Sequence, residues 1–260
     1  MPPLRLLPSS CQAGDWQMAT DAWLLGQDAP SFRLYSWARP TLSLGFHQRS
    51  IEAHWSDLAR AGVIDLVRRP SGGRAVLHGG DITYGLVWPG APLERQRAYG
   101  LACRWLLEVF AELGHPLQAG TRTATLQRSN CFASSTPADL IHADGAKRIG
   151  SAQLWRRGCL LQHGSILINP AADLWQLVFG CPPPRLAPLP ISGAALESLL
   201  VQSALRWLPA ATAGTIERPL SGAERAQIGA GLGPYREGLW KGSAAVSLLA
   251  SPEASIDRTT

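Results

Sequence analysis

RRPSGGRAVLH, Arg68 to His78, is the stretch on which the reading of this chain turns. Val63 to Val67 is a short apolar run that reads as a buried strand, and it leads into the paired glycines Gly72 and Gly73 between Ser71 and Arg74. Paired glycines let a backbone approach a ligand closely and turn its amides toward an anionic or carbonyl oxygen. Arg68, Arg69 and Arg74 could neutralise a phosphate or hold a carboxylate there. The same residues also describe a glycine hairpin with solvated arginines, and the motif by itself leaves both readings open.

Working outward, Ala75 to Leu77 and Ile82 to Trp88 read as strands that pair across the turn His78-Gly79-Gly80-Asp81. Upstream, Asp15 to Gly26 reads as a helix closed by its glycine, Phe32 to Ala38 and Thr41 to Phe46 as strands, and Ile51 to Ala61 as a helix ending at Gly62. Downstream, Arg97 to Leu113 is the clearest amphipathic helix, and Thr121 to Pro137 is an aperiodic, Ser/Thr-rich loop that carries Cys131. Strand patterns at Arg148 to Leu154 and Cys159 to Ile168 precede helices at Ala171 to Phe179 and Gly193 to Leu208, with a proline-rich rigid stretch from Cys181 to Pro190 between them. From Arg218 to Trp240 the tail suits a helix that begins at Ser221, capped with Glu224 three residues on. Strands interspersed with helices predict a mixed α/β or α+β domain.

The composition narrows the function classes. The chain has 260 residues, 46% hydrophobic and 17% charged, which suits one large domain or one domain with a small appendage. No apolar run approaches the roughly 20 residues of a membrane-spanning helix, and Met1 to Ser10 lacks the apolar core of a signal peptide, so a cytoplasmic protein without a membrane partner is expected. Five cysteines without a CxxC pair suit free thiols and no metal site. The net charge of +5 hints at acidic partners, but the basic residues are scattered, which argues against nucleic acid. Only Lys147 and Lys241 are lysines.

Two further segments carry chemistry. In Asp144 to Gln153, an Asp-Gly turn delivers Lys147 to the start of a strand, where its ammonium could stabilise negative charge on an acyl carbonyl or a phosphate; a solvated surface lysine is the plainer reading. In Leu160 to Ile168, His163 and Gly164 interrupt a strand. A glycine there often marks the close approach of a ligand or another backbone, and His163 could either bond a substrate or be satisfied within the sheet.

In order and spacing, RRPSGGRAVLH, DITYG (Asp81 to Gly85), KRIGSAQ (Lys147 to Gln153) and LLQHGSILIN (Leu160 to Asn169), with SLGFHQ (Ser43 to Gln48) upstream, resemble the catalytic domain of lipoate-protein ligases and octanoyltransferases. The resemblance spans about Asp15 to Leu208. It implies an α+β fold of mixed, mostly antiparallel sheets flanked by helices, as in biotin/lipoate protein ligases, although the Gly-Arg-Gly-Arg signature of biotin ligases is not matched. Residues 1–208 would form the catalytic domain and 209–260 a short helical extension. By the same resemblance Lys147 contacts the activated acyl group, Gly72 and Gly73 shape its carboxyl end, and His78 and His163 lie close by. Arg68, Ser71, Arg74, Gly150, Ser151 and Gly164 complete the implied substrate-binding set.

Two chemistries share this family. A transferase takes octanoyl from acyl carrier protein through an acyl-cysteine and needs no cofactor, whereas a ligase makes an acyl-adenylate from ATP, with Mg, and free lipoate. Cys131 stands sixteen residues before Lys147, where the ligase-like octanoyltransferases resemble one another in placing their nucleophile; a packed free thiol is the alternative. The short stretch after Leu208 also favours the transferase, because lipoate-activating ligases carry an accessory domain. Transferases of this branch tend to have aspartate directly after the histidine of the glycine motif; here Gly79 stands there, with Asp81 two places on. The implied partners are acyl carrier protein and the lipoyl domains of 2-oxoacid dehydrogenases or glycine cleavage H protein, with octanoyl or lipoyl as the group moved. The ATP-dependent ligase, and a non-catalytic relative that binds an acyl group or nucleotide, are the alternatives.

Overall fold

A computed structural model describes residues 2–120 and 136–236. The chain starts with β1 (Leu4–Gln12), α1 (Gly14–Gly26), β2 (Ser31–Trp37), β3 (Thr41–Leu44) and α2 (Ala53–Arg60). The glycine motif lies between β4 (Asp65–Arg68) and β5 (Val76–His78), and β6 (Asp81–Pro89) follows the turn. Next come α3 (Arg95–Glu112), β7 (Gln118–Ala119), β8 (Leu140–Ile141), β9 (Lys147–Arg156) and β10 (Cys159–Leu167). The order ends with α4 (Ala172–Phe179), α5 (Gly193–Trp207), β11 (Thr215–Glu217) and α6 (Gly222–Ala230).

Eight strands form a sheet in the order β11-β1-β2-β6-β10-β9-β8-β7, and a smaller sheet has the order β4-β3-β5. β1 runs parallel to β11 and β2, and β3 parallel to β4; the other ladders are antiparallel. This is the mixed, mostly antiparallel α+β arrangement expected. Every residue of β10 is buried, because the large sheet is covered on both faces. On one face α3 and α5 bury Trp105, Phe110 and Leu200 against Phe32, Tyr84 and Leu160. On the other, α1 lies against β2, β6 and β10 and also touches β4, so it is wedged between the two sheets. The small sheet buries Leu42, Leu44 and Leu77 with Trp55 of α2 and Trp175 of α4, and Trp55 Nε1 donates to Val178 O at 2.7 Å.

The pairing expected across His78-Gly79-Gly80-Asp81 does not form. β5 pairs with β3, Thr41 opposite His78, while β6 pairs with β2 and β10 in the large sheet. The turn is tight, and it carries the chain from one sheet to the other. Gly80 sits at φ +88°, and a Cβ there would fall 2.0 Å from Asn169 O. Turn residues report local backbone shape, and they carry no information about which distant strand completes each ladder.

β1 gave no strand signal in the sequence. Its alternation breaks at Pro8, Ser9 and Ser10, where the ladder to β2 shifts register between Leu7 and Ser10. After Leu208 the chain adds β11 beside β1, and α6 starts at Ser221 with both bonds of a capping box. Arg5 of β1 donates to both carboxylate oxygens of Glu224 at 2.8 Å, so the described part of the tail is built into the large sheet. α6 stops at Ala230, short of the expected Trp240, because Gly231, Gly233 and Pro234 end it. Among the described residues no helix is long and apolar enough to cross a membrane.

Candidate active site

Two adjoining cavities share Gly72, Gly73, Ser151 and Ala152. The first, about 60 Å³, lies between the sheets, with Met18, Tyr35, Trp37, His78, Thr83 and Ser165 in its wall. Gly150, His163 and Gly164 also line it. The second, about 240 Å³, is lined by Arg74, Tyr99, Asp139, Lys147 and Gln153. The glycine loop and β9 therefore form the partition between a sheet-lined chamber and a lysine-bearing one.

The arginines before the loop are not solvated. Arg68 and Arg69 are buried; Arg68 Nη1 donates to Gly45 O at 2.8 Å and Gln48 O at 2.7 Å. Arg69 donates to Ser43 O at 2.8 Å, Gly72 O at 2.8 Å and Arg74 O at 2.7 Å, so it folds the loop around its own guanidinium. Five donors in a rigid plane suit this bracing of carbonyls. The loop also packs on Gly45, where a Cβ would come within 1.8 Å of Gly73 O. Arg68 borders neither of the two cavities, whereas Arg74 lines the second.

Two Asp-His-Ser chains flank the first cavity. Asp21 Oδ2 lies 2.8 Å from His163 Nδ1, and His163 Nε2 lies 2.5 Å from Ser71 Oγ. Asp81 Oδ2 lies 2.8 Å from His78 Nδ1, and His78 Nε2 lies 2.9 Å from Ser43 Oγ. Burial alone would raise the Asp21 carboxyl, but the Arg33 guanidinium at 2.7 Å and the His163 bond outweigh it and hold the carboxyl below its usual range. Asp81 behaves alike: burial is outweighed by His78, then by bonds from Ser165 and the Gly79 N–H. Gly79 follows His78 directly, and Asp81, two places further on, reaches back to that histidine and to the Gly79 N–H. His163 is both satisfied within the sheet and part of the cavity wall. The first chain ties Ser71, and with it the glycine loop, to α1 and β10.

Lys147 opens β9 as the Asp144-Gly145 turn predicts; Ala146 N donates to Asp144 Oδ1 at 2.9 Å and Gly145 has φ +86°. It is 3% exposed, and its Nζ lies 2.9 Å from Asp139 Oδ1. A surface lysine is thus ruled out, and a buried carboxylate that no motif marked is its partner. Sequence reasoning also missed Asp21, Asp81 as a histidine partner, and Tyr84, whose hydroxyl lies 2.9 Å from Ser151 Oγ. The only available signal was a buried-type position bearing a charged residue, as Asp21 is within its apolar helix.

Of the thiols, Cys131 lies outside the described residues, and Cys103 and Cys159 are buried. Burial pushes the Cys103 thiol up to about 11 and Cys159 up to about 12, which keeps both protonated and unreactive at neutral pH. No cluster of three potential metal-ligating side chains occurs among the described residues.

The glycine loop joins β4 and β5 of the small sheet and shares a cavity with the buried Lys147 of β9 in the large one. Residues 15–185 match the model of the lipoyl protein ligase A/B catalytic domain, and the chain belongs to that family. Octanoyltransferase LipM of Kyrpidia tusciae is 36% identical over 182 residues, which cover 64% of this chain and 66% of that protein. Octanoyltransferase LipM of Symbiobacterium thermophilum is 34% identical over 237 residues, 85% of this chain and 81% of that one. Among solved structures, a bi-partite lipoate protein ligase from Thermoplasma acidophilum, studied with its E2 lipoyl domain, has a TM-score of 0.72 at 16% identity, covering 94% of this chain and 100% of that chain. Lipoate-protein ligase A bound with ATP has a TM-score of 0.71 at 18% identity, over 89% and 94% of the two chains. At such identities the structural likeness speaks to the fold.

Proposed function

We propose that the chain is an acyltransferase of protein lipoylation that moves an octanoyl group from acyl carrier protein to a lysine of a lipoyl domain through an acyl-Cys131 thioester. The observation that carries the reading is the buried Lys147 in the wall of a cavity that Gly72 and Gly73 also line. The relatives named octanoyltransferase support the thioester route. In the first step the Cys131 thiolate attacks the carrier thioester, the new C–S bond forms, and the carrier thiolate leaves and takes up a proton. In the second, the neutral lysine amine of the acceptor attacks the acyl-cysteine, an amide forms, and the Cys131 thiol is released.

Lys147 stabilises the oxyanion in both steps as a pre-placed charge. Gly72, Gly73, Gly150, Ser151 and Gly164 border the reacting carbonyl, and the chamber lined by His78 and His163 takes the acyl chain, where each buried methylene contributes about 0.8 kcal/mol. Arg74 meets the acidic partners at the mouth, and Arg68 and Ser71 hold the loop. The acceptor is a lipoyl domain of a 2-oxoacid dehydrogenase or glycine cleavage H protein, the reaction takes place in the cytoplasm, and residues 209–260 extend the catalytic domain. No cofactor is consumed. The secondary reading is a ligase that takes ATP and Mg, in keeping with the ligase in the description of the matched family.

The test is incubation with octanoyl carrier protein without ATP, followed by intact-mass analysis. A hydroxylamine-sensitive octanoyl adduct is expected on the native chain and absent from Cys131→Ser, and Lys147→Ala should retain the fold and lose transfer. Modification of a lipoyl domain only with ATP and free acid, and no adduct, would replace this mechanism with the ligase.

A further inference from the structure

Asp139 occupies a junction that no sequence motif marks. Its Oδ1 lies 2.9 Å from Lys147 Nζ, and its Oδ2 accepts hydrogen bonds from Thr136 N at 2.7 Å and Thr136 Oγ1 at 3.0 Å. Its main chain is engaged as well: Asp139 N donates to Thr136 O at 2.9 Å, and Gly120 N donates to Asp139 O at 2.9 Å. Gly120 and Thr136 are the described residues on either side of 121–135, the segment that includes Cys131. A single residue thus bonds both flanks of that segment and the lysine of the lysine-bearing cavity.

We propose that Asp139 is a positioning residue for acyl transfer, which fixes the Lys147 ammonium in the wall of the second cavity and registers it to both flanks of the segment bearing Cys131. Lysine ends in a point charge on a four-carbon stem, and without a partner its head samples many rotamers. Both side chains of the pair are nearly fully buried, at 3% and 5% exposure, so their attraction offsets part of the cost of burying each charge. The two oxygens divide the work: Oδ1 orients the ammonium, and Oδ2 with the main chain fixes where the carboxylate stands. The neighbouring Gly72 and Gly73 line the same cavity, so displacement of the ammonium would move it relative to the loop that shapes the carbonyl end.

The inference rests on the acyl-transfer reading for its kinetic arm only. Lys147 and Lys241 are the only lysines, so the full chain labelled with ¹⁵N-lysine offers two side-chain signals, assigned with Lys147→Met. A protected Lys147 ammonium signal is expected in the native chain and its loss in Asp139→Asn. Octanoyl transfer by Asp139→Asn should fall about a hundredfold, mainly in kcat, as for a displaced catalytic group, with KM little changed. In the Lys147→Met background the small residual rate, read as a single turnover with the chain in excess, should fall no more than about two- to threefold further on the same substitution, because the two residues act as one unit. An ammonium signal unchanged in Asp139→Asn, or an equal slowing in the Lys147→Met background, would overturn the proposal. Should Asp139→Asn not fold, Asp139→Glu carries the test: it keeps the charge and shifts the carboxylate by one methylene. A native-like rate and signal in Asp139→Glu would overturn the proposal, whereas a displaced signal with about tenfold slower transfer would uphold it. If the native chain transfers no octanoyl group, the proposed function fails and the ammonium signal alone decides whether Asp139 fixes Lys147.

Discussion

Asp21 illustrates how much one buried carboxylate can organise. It receives Arg33 Nε at 2.9 Å and the Tyr35 hydroxyl at 3.0 Å from β2, and His163 Nδ1 at 2.8 Å from β10. Because its carboxyl is depressed in the folded chain, as is that of Asp81, the folded state binds fewer protons there than the unfolded state. The stability this contributes is present above the unfolded carboxyl pKa, about 4, and is lost as the pH falls below it toward the lowered folded values. Urea unfolding across pH should therefore show a plateau at neutral pH and a decline on the acid side of about pH 4. Asp21→Asn should be less stable at pH 7 by about 3–5 kcal/mol, because Arg33 is left buried without its counter-charge, and should show a shallower acid decline. Equal acid slopes in both proteins would remove Asp21 from this account.

At the scale of elements, the glycine loop is held from outside as much as by its own residues. Phe46 N donates to Ser71 O at 2.9 Å and Arg69 N to Leu44 O at 2.9 Å, so the β3 segment continues alongside the loop. Gly45 is where the two backbones touch. Gly45→Ala should push the loop off the β9 wall, lowering the thermal midpoint by several degrees and abolishing octanoyl transfer, since a Cβ meeting a carbonyl at 1.8 Å forces backbone movement. A variant with native melting and transfer would show that the loop has slack. A strand from Thr41 to Phe46 was legible from its pattern, although the structure ends it at Leu44, and the need for glycine at position 45 was not legible, because the group it avoids belongs to Gly73.

For the whole molecule, the tail is part of the packing. β11 pairs with β1, the Glu224 carboxylate takes the Arg5 guanidinium, and α6 packs on α1. A chain ending at Leu208 should lose cooperative thermal unfolding, since the β1 edge and a mostly buried arginine would be exposed together. A transition within a few degrees of the full chain would show that residues 1–208 are self-sufficient. What the sequence by itself determined was local or serial: the order of the four motifs, the alternation of strands and helices, the cap at Ser221, and Lys147 at the head of a strand after Asp144-Gly145. These are written in side-chain periodicity and turn chemistry over a few residues. Only the tertiary structure decided that β5 and β6 part into different sheets, that Asp21 reaches His163 across 142 positions, and that Asp139 holds Lys147. Such partners are chosen by which strands come to lie side by side and which buried charges need one another, and neither condition leaves a mark in the pattern around a single residue.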